Sequence, residues 1–190
     1  MNKNDKFTFK YNIAVSGSAT LNKCTKTTKD KISELGEEIA KNNCALISGA
    51  TSGVPHLASL ACRDAGGFNV GFSPAASKIA HVKTYKLPVD PYDIIIYTGM
   101  DYSGRDTIMT KSADAVIIAN GRVGTMHEFL VAFETGKIVG VLTETGGVAD
   151  YIKYFVQNSG RKPKFPIIYS NNPRILIKKV IREIEKKYDC

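Results

Sequence analysis

DAVIIANGRVGTMHEF, residues 114–129, carries the three signals that set the fold. Ala115–Ala119 is an unbroken apolar run of strand length, the pattern of a strand covered on both faces. The glycine-bearing turn NGRVGT (120–125) follows. From Val123 the sequence VGTMHEFLVAFETG (123–136) takes on helical period and closes on a glycine, which is a helix stop signal. A buried strand running through a short polar turn into a helix is most of a βαβ unit, and such units build parallel sheets.

The same unit recurs on both sides. NIAVSG (12–17) is a first strand, and TKTTKDKISELGEEIAKNN (25–43) a helix with Ile32, Leu35 and Ile39 on one face. CALISG (44–49) is a second strand, followed by the helix VPHLASLACRDAGG (54–67) with its closing pair Gly66–Gly67. FNVGFSP (68–74) and DIIIYTG (93–99) are the third and fourth strands, and a helix is expected over about 103–112. IVGVLTE (138–144) and FPIIYS (165–170) complete the strands, with helices over about 147–158 and at PRILIKKVIREIEKKY (173–188). Residues 74–91 form one long, polar, proline-bearing connection, a candidate rim loop or lid. The pattern predicts an α/β fold: a doubly wound, mostly parallel, Rossmann-like sheet with helices on both faces, in a single nucleotide-binding domain over residues 1–190.

Composition narrows the function. The chain has 190 residues, 43% of them hydrophobic, enough for a real core in one domain. No apolar run approaches the roughly 18 residues of a membrane span, so no membrane partner is expected. The N-terminal stretch MNKNDKFTFKYN is basic but lacks an apolar segment of the secretory kind. Cys24, Cys44, Cys62 and Cys190 are widely spaced, without a CxxC pair. Reduced thiols in a cytoplasm are the simplest reading. Three isolated histidines supply no metal-ligand spacing, and neither a metal nor another cofactor is expected. The net charge of +8 favours anionic partners. Its lysines are scattered and not interleaved with aromatic residues, so nucleic acid is not the expected partner.

In doubly wound sheets, ligands sit beyond the carboxyl ends of the strands, where strand order reverses. Four of the loops there are rich in Gly, Ser and Thr: SGSAT (16–20), SGATSGV (48–54), TGMDYSGR (98–105) and NGRVGT (120–125). Glycines admit close backbone approach, and helix starts offer free N–H groups and a positive dipole end. The candidate phosphate or nucleotide contacts are therefore Gly17, Ser18, Gly49, Ser52, Gly53, Gly121, Arg122, Val123, Gly124 and Thr125. No GxGxxG follows the first strand and no GxxxxGK[ST] occurs, which disfavours nicotinamide chemistry and P-loop NTPases. Thr125 and Glu128 have the spacing of a capping box. The same position would also let Glu128 face the sugar of a bound nucleotide. His127 reads as a surface or helix-packing residue, and Tyr102 as a side chain able to stack on a base.

SADAVIIANGRVGTMHEF resembles the PGGxGTxxE region of the LOG-type phosphoribohydrolases and of the related molybdenum-cofactor carrier proteins. IAVSGS, LISGATSGVPHLASLACRDAGGFNVGF and SGRDTIMTKSADA extend the resemblance over roughly residues 11–143. Twenty-three residues separate Arg105 from Glu128, as in that family's arginine–glutamate pair. The resemblance implies a Rossmann-like protein, usually dimeric or a higher homo-oligomer, that binds a nucleoside monophosphate or related phosphorylated small molecule. For LOG-type enzymes it implies hydrolysis of the N-glycosidic bond to free base and ribose 5-phosphate. Glu128 would then meet the ribose and the developing oxocarbenium charge, and Arg105 would assist the leaving base. The alternative is a non-catalytic nucleotide or molybdenum-cofactor carrier. The chain departs from the pattern at Asn120 and Arg122, which stand where the family has Pro and Gly, and at Asp106, where a lysine is usual.

Overall fold

The computed structural model describes residues 9–22 and 24–188. Cys190 and the first eight residues of the basic N-terminal stretch lie outside them. Seven parallel strands form one sheet in the order β4-β3-β2-β1-β5-β6-β7. They are β1 (Asn12–Gly17), β2 (Ala45–Ser48), β3 (Asn69–Ser73), β4 (Ile94–Tyr97), β5 (Ala115–Ala119), β6 (Ile138–Leu142) and β7 (Ile167–Ser170). The chain winds outward from β1 to β4, then returns past β1 to continue from β5 to β7. Strand order therefore reverses between β1 and β5, whose ends pair Gly17 with Ala119.

Among the described residues, six α-helices cover the sheet: α1 (Lys26–Lys41), α2 (Val54–Asp64), α3 (Asp101–Ser112), α4 (Val123–Glu134), α5 (Ile152–Asn158) and α6 (Pro173–Tyr188). Alternate residues of the central strands feed two cores. Ile13, Val15, Leu46 and Ile117 pack with Ile32, Leu35 and Ile39 of α1, Ala58 and Cys62 of α2, and Leu176, Ile177 and Val180 of α6. Ala14, Ile47, Val116 and Ile118 pack on the other face with Met109 of α3, Phe129 and Phe133 of α4, and Ile152 of α5. Thr25 starts α1 by accepting a hydrogen bond from the Thr28 N–H, a cap worth about 1 kcal/mol. Gly66, at φ +79°, and Gly67 close α2 through bonds to the Arg63 and Cys62 carbonyls.

Three segments differ from the sequence expectation. The continuous apolar reading of β4 predicts burial on both faces, yet Ile94 and Ile96 are 51% and 42% exposed. β4 is an edge strand, and hydropathy does not say which strand lies at the edge. The helix expected over 147–158 is split into a 3-10 turn, Gly147–Asp150, and α5 (Ile152–Asn158), and Gly146 and Gly147 at its start both take positive φ. The 74–91 connection is not structureless. It contains a π-helical turn, Ala80–Thr84, pinned by the fully buried His81 between Ser73 Oγ (2.8 Å) and the Pro88 carbonyl (2.9 Å). Among the described residues, no helix is long and apolar enough to cross a membrane.

Candidate functional site

The reversal between β1 and β5 opens a cleft of about 190 Å³, walled by the turns after β1, β2 and β5 and by α3. Close backbone packing shapes these turns. A Cβ on Gly17 would lie 2.4 Å from Val54 Cγ1 and 2.5 Å from the Ala119 carbonyl oxygen. The first turn thus fits between α2 and β5 only without a side chain. Gly53, at φ +79°, would place a Cβ 2.2 Å from the Ser18 carbonyl oxygen, and the Val54 N–H donates to that oxygen at 2.8 Å. Ser52 Oγ donates to the Ala19 carbonyl at 2.8 Å. Ser52 and Gly53 therefore brace the second turn against the first and do not line the cleft.

Arg105, on the second turn of α3, reaches the cleft from the far side. It is 5% exposed and lies so close over Gly49 that a Cβ there would sit 1.4 Å from Nη1. Its Nε is 3.1 Å from Asp106 Oδ1, an ion pair along which no hydrogen bond is well directed. The guanidinium carbon is 5.8 Å from the ring centre of Tyr102, within cation–π range. Asp106 also meets His127 Nδ1 at 3.2 Å. Burial raises the Asp106 pKa above the ordinary carboxylate value, with Arg105 and His127 opposing that shift. His127, its side chain 40% exposed, is a surface partner of Asp106.

Glu128 faces the same space from α4. It is 7% exposed and accepts a hydrogen bond from the Ser16 hydroxyl at the end of β1. Burial, and then the nearby Asp106 carboxylate, push its pKa up to about 7 against the opposing pull of Arg105 and Ser16. Removing a carboxylate from water disfavours its charged form. Near neutral pH this group is poised to hold or release a proton.

The capping-box expectation is corrected here. Helix α4 starts at Val123 with Arg122 as its cap residue, three residues earlier than a Thr125 cap requires. Gly121, at φ +104°, and the extended Arg122 turn the chain into the helix early. Thr125 then stands in the first turn, where its hydroxyl accepts the Arg122 N–H at 3.4 Å. Glu128 is left free to reach Ser16 on the neighbouring strand.

The structure brings Gly17, Ser18, Gly49, Arg105, Arg122, Gly124, Thr125 and Glu128 into one cleft. Val123 is 85% exposed and lies outside it. Gly121 faces a second, neighbouring cavity. A Cβ on Gly124 would meet nothing within 4 Å, so this glycine borders open space at the helix start. Asn120 takes φ +56°. Its N–H donates to Thr145 Oγ1 at 2.8 Å and its Nδ2 to the Thr145 carbonyl at 2.6 Å, while its Oδ1 accepts the Gly121 N–H at 2.6 Å. These bonds tie the β5–α4 turn to the loop after β6. Sequence reasoning missed Ser16, whose signal was one hydroxyl at the end of an apolar strand. It also did not single out Thr51 within the expected loop 48–54, where the structure places it in the wall. Among the described residues, no group of three or more His, Cys, Asp or Glu side chains is placed to hold a metal ion.

Known proteins share this fold. The chain is 32% identical over 108 residues to an uncharacterized protein of Archaeoglobus fulgidus; the match covers 57% of this chain and 66%, just under two thirds, of that relative. A structural-genomics target solved by X-ray crystallography superposes with a TM-score of 0.76 at 27% identity, over 91% of this chain and 99% of the other. The molybdenum cofactor binding protein of Rippkaea orientalis gives 0.72 at 25% identity, over 90% and 97%. The DNA processing protein DprA of Streptococcus pneumoniae gives 0.65 at 16% identity, over 89% and 61%, a likeness of fold alone. Residues 10–177 match the SLOG cluster4 family, a span that takes in every strand and all three turns of the cleft, and the chain belongs to that family.

Proposed function

We propose that this protein binds a phosphorylated, nucleotide-like small molecule, or a molybdopterin-type cofactor as cargo, in the cleft between the ends of β1 and β5. One observation carries the reading: a buried guanidinium, Arg105, whose Nη1 lies directly over Gly49, borders a cleft that the start of α4 also lines. A buried cation and the free N–H groups of a helix start together suit an anion. In this reading Gly124, Thr125, Ser18 and Arg122 surround the phosphate. Gly49 makes room for Arg105, and Tyr102 lies beside the base or pterin. The likeness to a molybdenum cofactor binding protein at 25% identity supports binding and carriage over turnover. Calorimetric titration with AMP, GMP, CMP and UMP tests the proposal. Saturable binding that weakens at least about tenfold in Arg105→Ala is expected. Absence of binding by any of the four and by a molybdopterin-type ligand would overturn it.

A second reading is favoured by the Glu128 carboxyl, whose pKa lies near 7 within the same cleft. In it the protein hydrolyses the N-glycosidic bond of a nucleoside 5′-monophosphate. Water adds to the anomeric carbon, the bond to the base breaks, and the base leaves with a proton, giving free base and ribose 5-phosphate. Ionised Glu128 would stabilise the cation-like sugar or orient the water, and Arg105 would stabilise the departing base. Chromatography for released base separates the readings. Release that is lost in Glu128→Gln establishes turnover, and binding without release establishes carriage. The expected homo-oligomer finds support in the uncovered isoleucines of β4 and in Met100 nearby; sedimentation measures its state.

A further inference from the structure

Two buried carboxylates share one buried guanidinium in the cleft. Arg105, Asp106 and Glu128 are all buried, and all three line it. The two carboxylates differ in their partners. Asp106 has a positive or protonatable nitrogen at each oxygen: Arg105 Nε lies 3.1 Å from Oδ1, and His127 Nδ1 lies 3.2 Å from Oδ2. Glu128 is held by a neutral group, the buried hydroxyl of Ser16. The other charged or titratable side chains in the described lining are Tyr102 of α3 and Arg122 at the cap of α4. The turns after β1 and β2 and the start of α2 contribute none. Arg122 is exposed, so water and salt screen its charge. The buried part of the cluster is therefore one cation against two carboxylates before any ligand arrives.

Resting on the anion-binding reading above, we infer that a phosphate enters this cleft together with one proton, taken up from solution and held on Glu128, and that Asp106 sets the pH at which this coupling operates. A phosphate monoester carries close to two negative charges above its second ionisation, near pH 6. Beside Glu128 it meets an Arg105 already divided between two carboxylates. Like charges at such range, away from bulk water, do not all stay ionised. The proton goes to Glu128, because Asp106 keeps its nitrogen partners on both oxygens. Once protonated, the Glu128 carboxyl is also a donor, able to give a hydrogen bond to a ligand oxygen. Asp106 acts through Glu128. Its negative charge raises the affinity of Glu128 for the proton, and without it Glu128 stays ionised down to a lower pH. In the free protein the Glu128 pKa stands at about 7, so uptake operates just above neutrality, where the phosphate itself has finished titrating.

Calorimetry on the full chain with AMP, GMP, CMP and UMP, which carry the same 5′-phosphate, counts the proton. Titrations at about pH 7.5 in buffers of different ionisation enthalpy should show uptake of roughly 0.3–1 proton per ligand bound, and affinity should fall by up to about tenfold per pH unit above that pH. Glu128→Gln, which cannot take up the proton, should bind without buffer dependence and with a flat profile in this window. At about pH 9 it should bind more tightly than the unaltered protein, the opposite of what damage to the site would give. Asp106→Asn should keep the uptake and move the fall in affinity to lower pH. Binding with no proton uptake overturns the inference while the anion site stands. An unchanged slope in Glu128→Gln overturns the assignment of the proton to Glu128, and an unmoved profile in Asp106→Asn overturns the role of Asp106. Failure of all four nucleotides and of a molybdopterin-type ligand to bind overturns that site and this inference together.

Discussion

Replacing Gly49 by Ala tests the geometry of the cleft most directly. The added Cβ would lie 1.4 Å from Nη1, 2.6 Å from Cζ and 3.0 Å from Nη2 of Arg105. Ordinary contacts of such atoms fall near 3.5–4.0 Å, so the guanidinium must withdraw by roughly 2 Å. That is enough to break its 3.1 Å approach to Asp106. Overpacking of this kind costs about 1–3 kcal/mol, and the withdrawn arginine no longer faces the ligand. In an Arg105→Ala background the three nearest atoms, all within 3.0 Å, are gone. Gly49 does not occupy the left-handed region, so the same alanine should there stabilise the fold by about 0.4–1 kcal/mol by restricting the unfolded chain. The sign of the effect thus reverses between the two backgrounds. Urea unfolding followed by circular dichroism on the four proteins of the double-mutant cycle measures it. An equal cost of Gly49→Ala in both backgrounds would refute the placement of Arg105 over Gly49, and with it the anion-facing role of that side chain.

Three further outcomes follow from the same site. The Glu128 pKa is raised from the ordinary 4.5 to about 7, so the folded state holds this proton more tightly than the unfolded chain. Its contribution is complete below about pH 4.5 and is lost as pH rises through 7, by up to about 3 kcal/mol; Glu128→Gln should flatten that part of the stability–pH curve, and parallel curves would contradict it. Thr145→Val removes the acceptor of the buried Asn120 N–H, an unpaired donor that costs about 1–3 kcal/mol, read as a lowered melting temperature. Gly124→Ala meets no atom within 4 Å and should leave stability equal or raise it by up to about 1 kcal/mol, while weakening AMP binding by entering the open space; unchanged affinity would place the ligand elsewhere.

The legible parts of this protein are those set by short-range pattern. The unbroken apolar runs at Ile13–Val15 and Ala115–Ala119 required strands covered on both faces, and the structure buries them fully. The alternation of such runs with amphipathic helices required parallel βαβ connections. That in turn placed the cleft at the strand ends, and the family resemblance singled out Arg105 and Glu128, which both line it. The errors fell where one local signal had two physical meanings. Thr-x-x-Glu is a capping pattern, but Gly121 and Arg122 begin the helix earlier and free Glu128 for Ser16. Three successive isoleucines look like a buried strand, but β4 lies at the sheet edge.

The sequence by itself determined the element types, the parallel sheet and the end of it where the cleft opens, because hydrophobic period and turn chemistry act over a few residues. Only the tertiary structure decided which glycines face open space and which serve backbone packing. Gly53 is pressed against Ser18, whereas Gly124 borders empty volume, and nothing in the two local sequences distinguishes them. The same holds for charge. Glu128 near pKa 7, Asp106 between Arg105 and His127, and Arg122 between two cavities owe their states to neighbours up to 112 residues away in the chain. Desolvation and Coulomb coupling depend on distance in space, which sequence order does not encode.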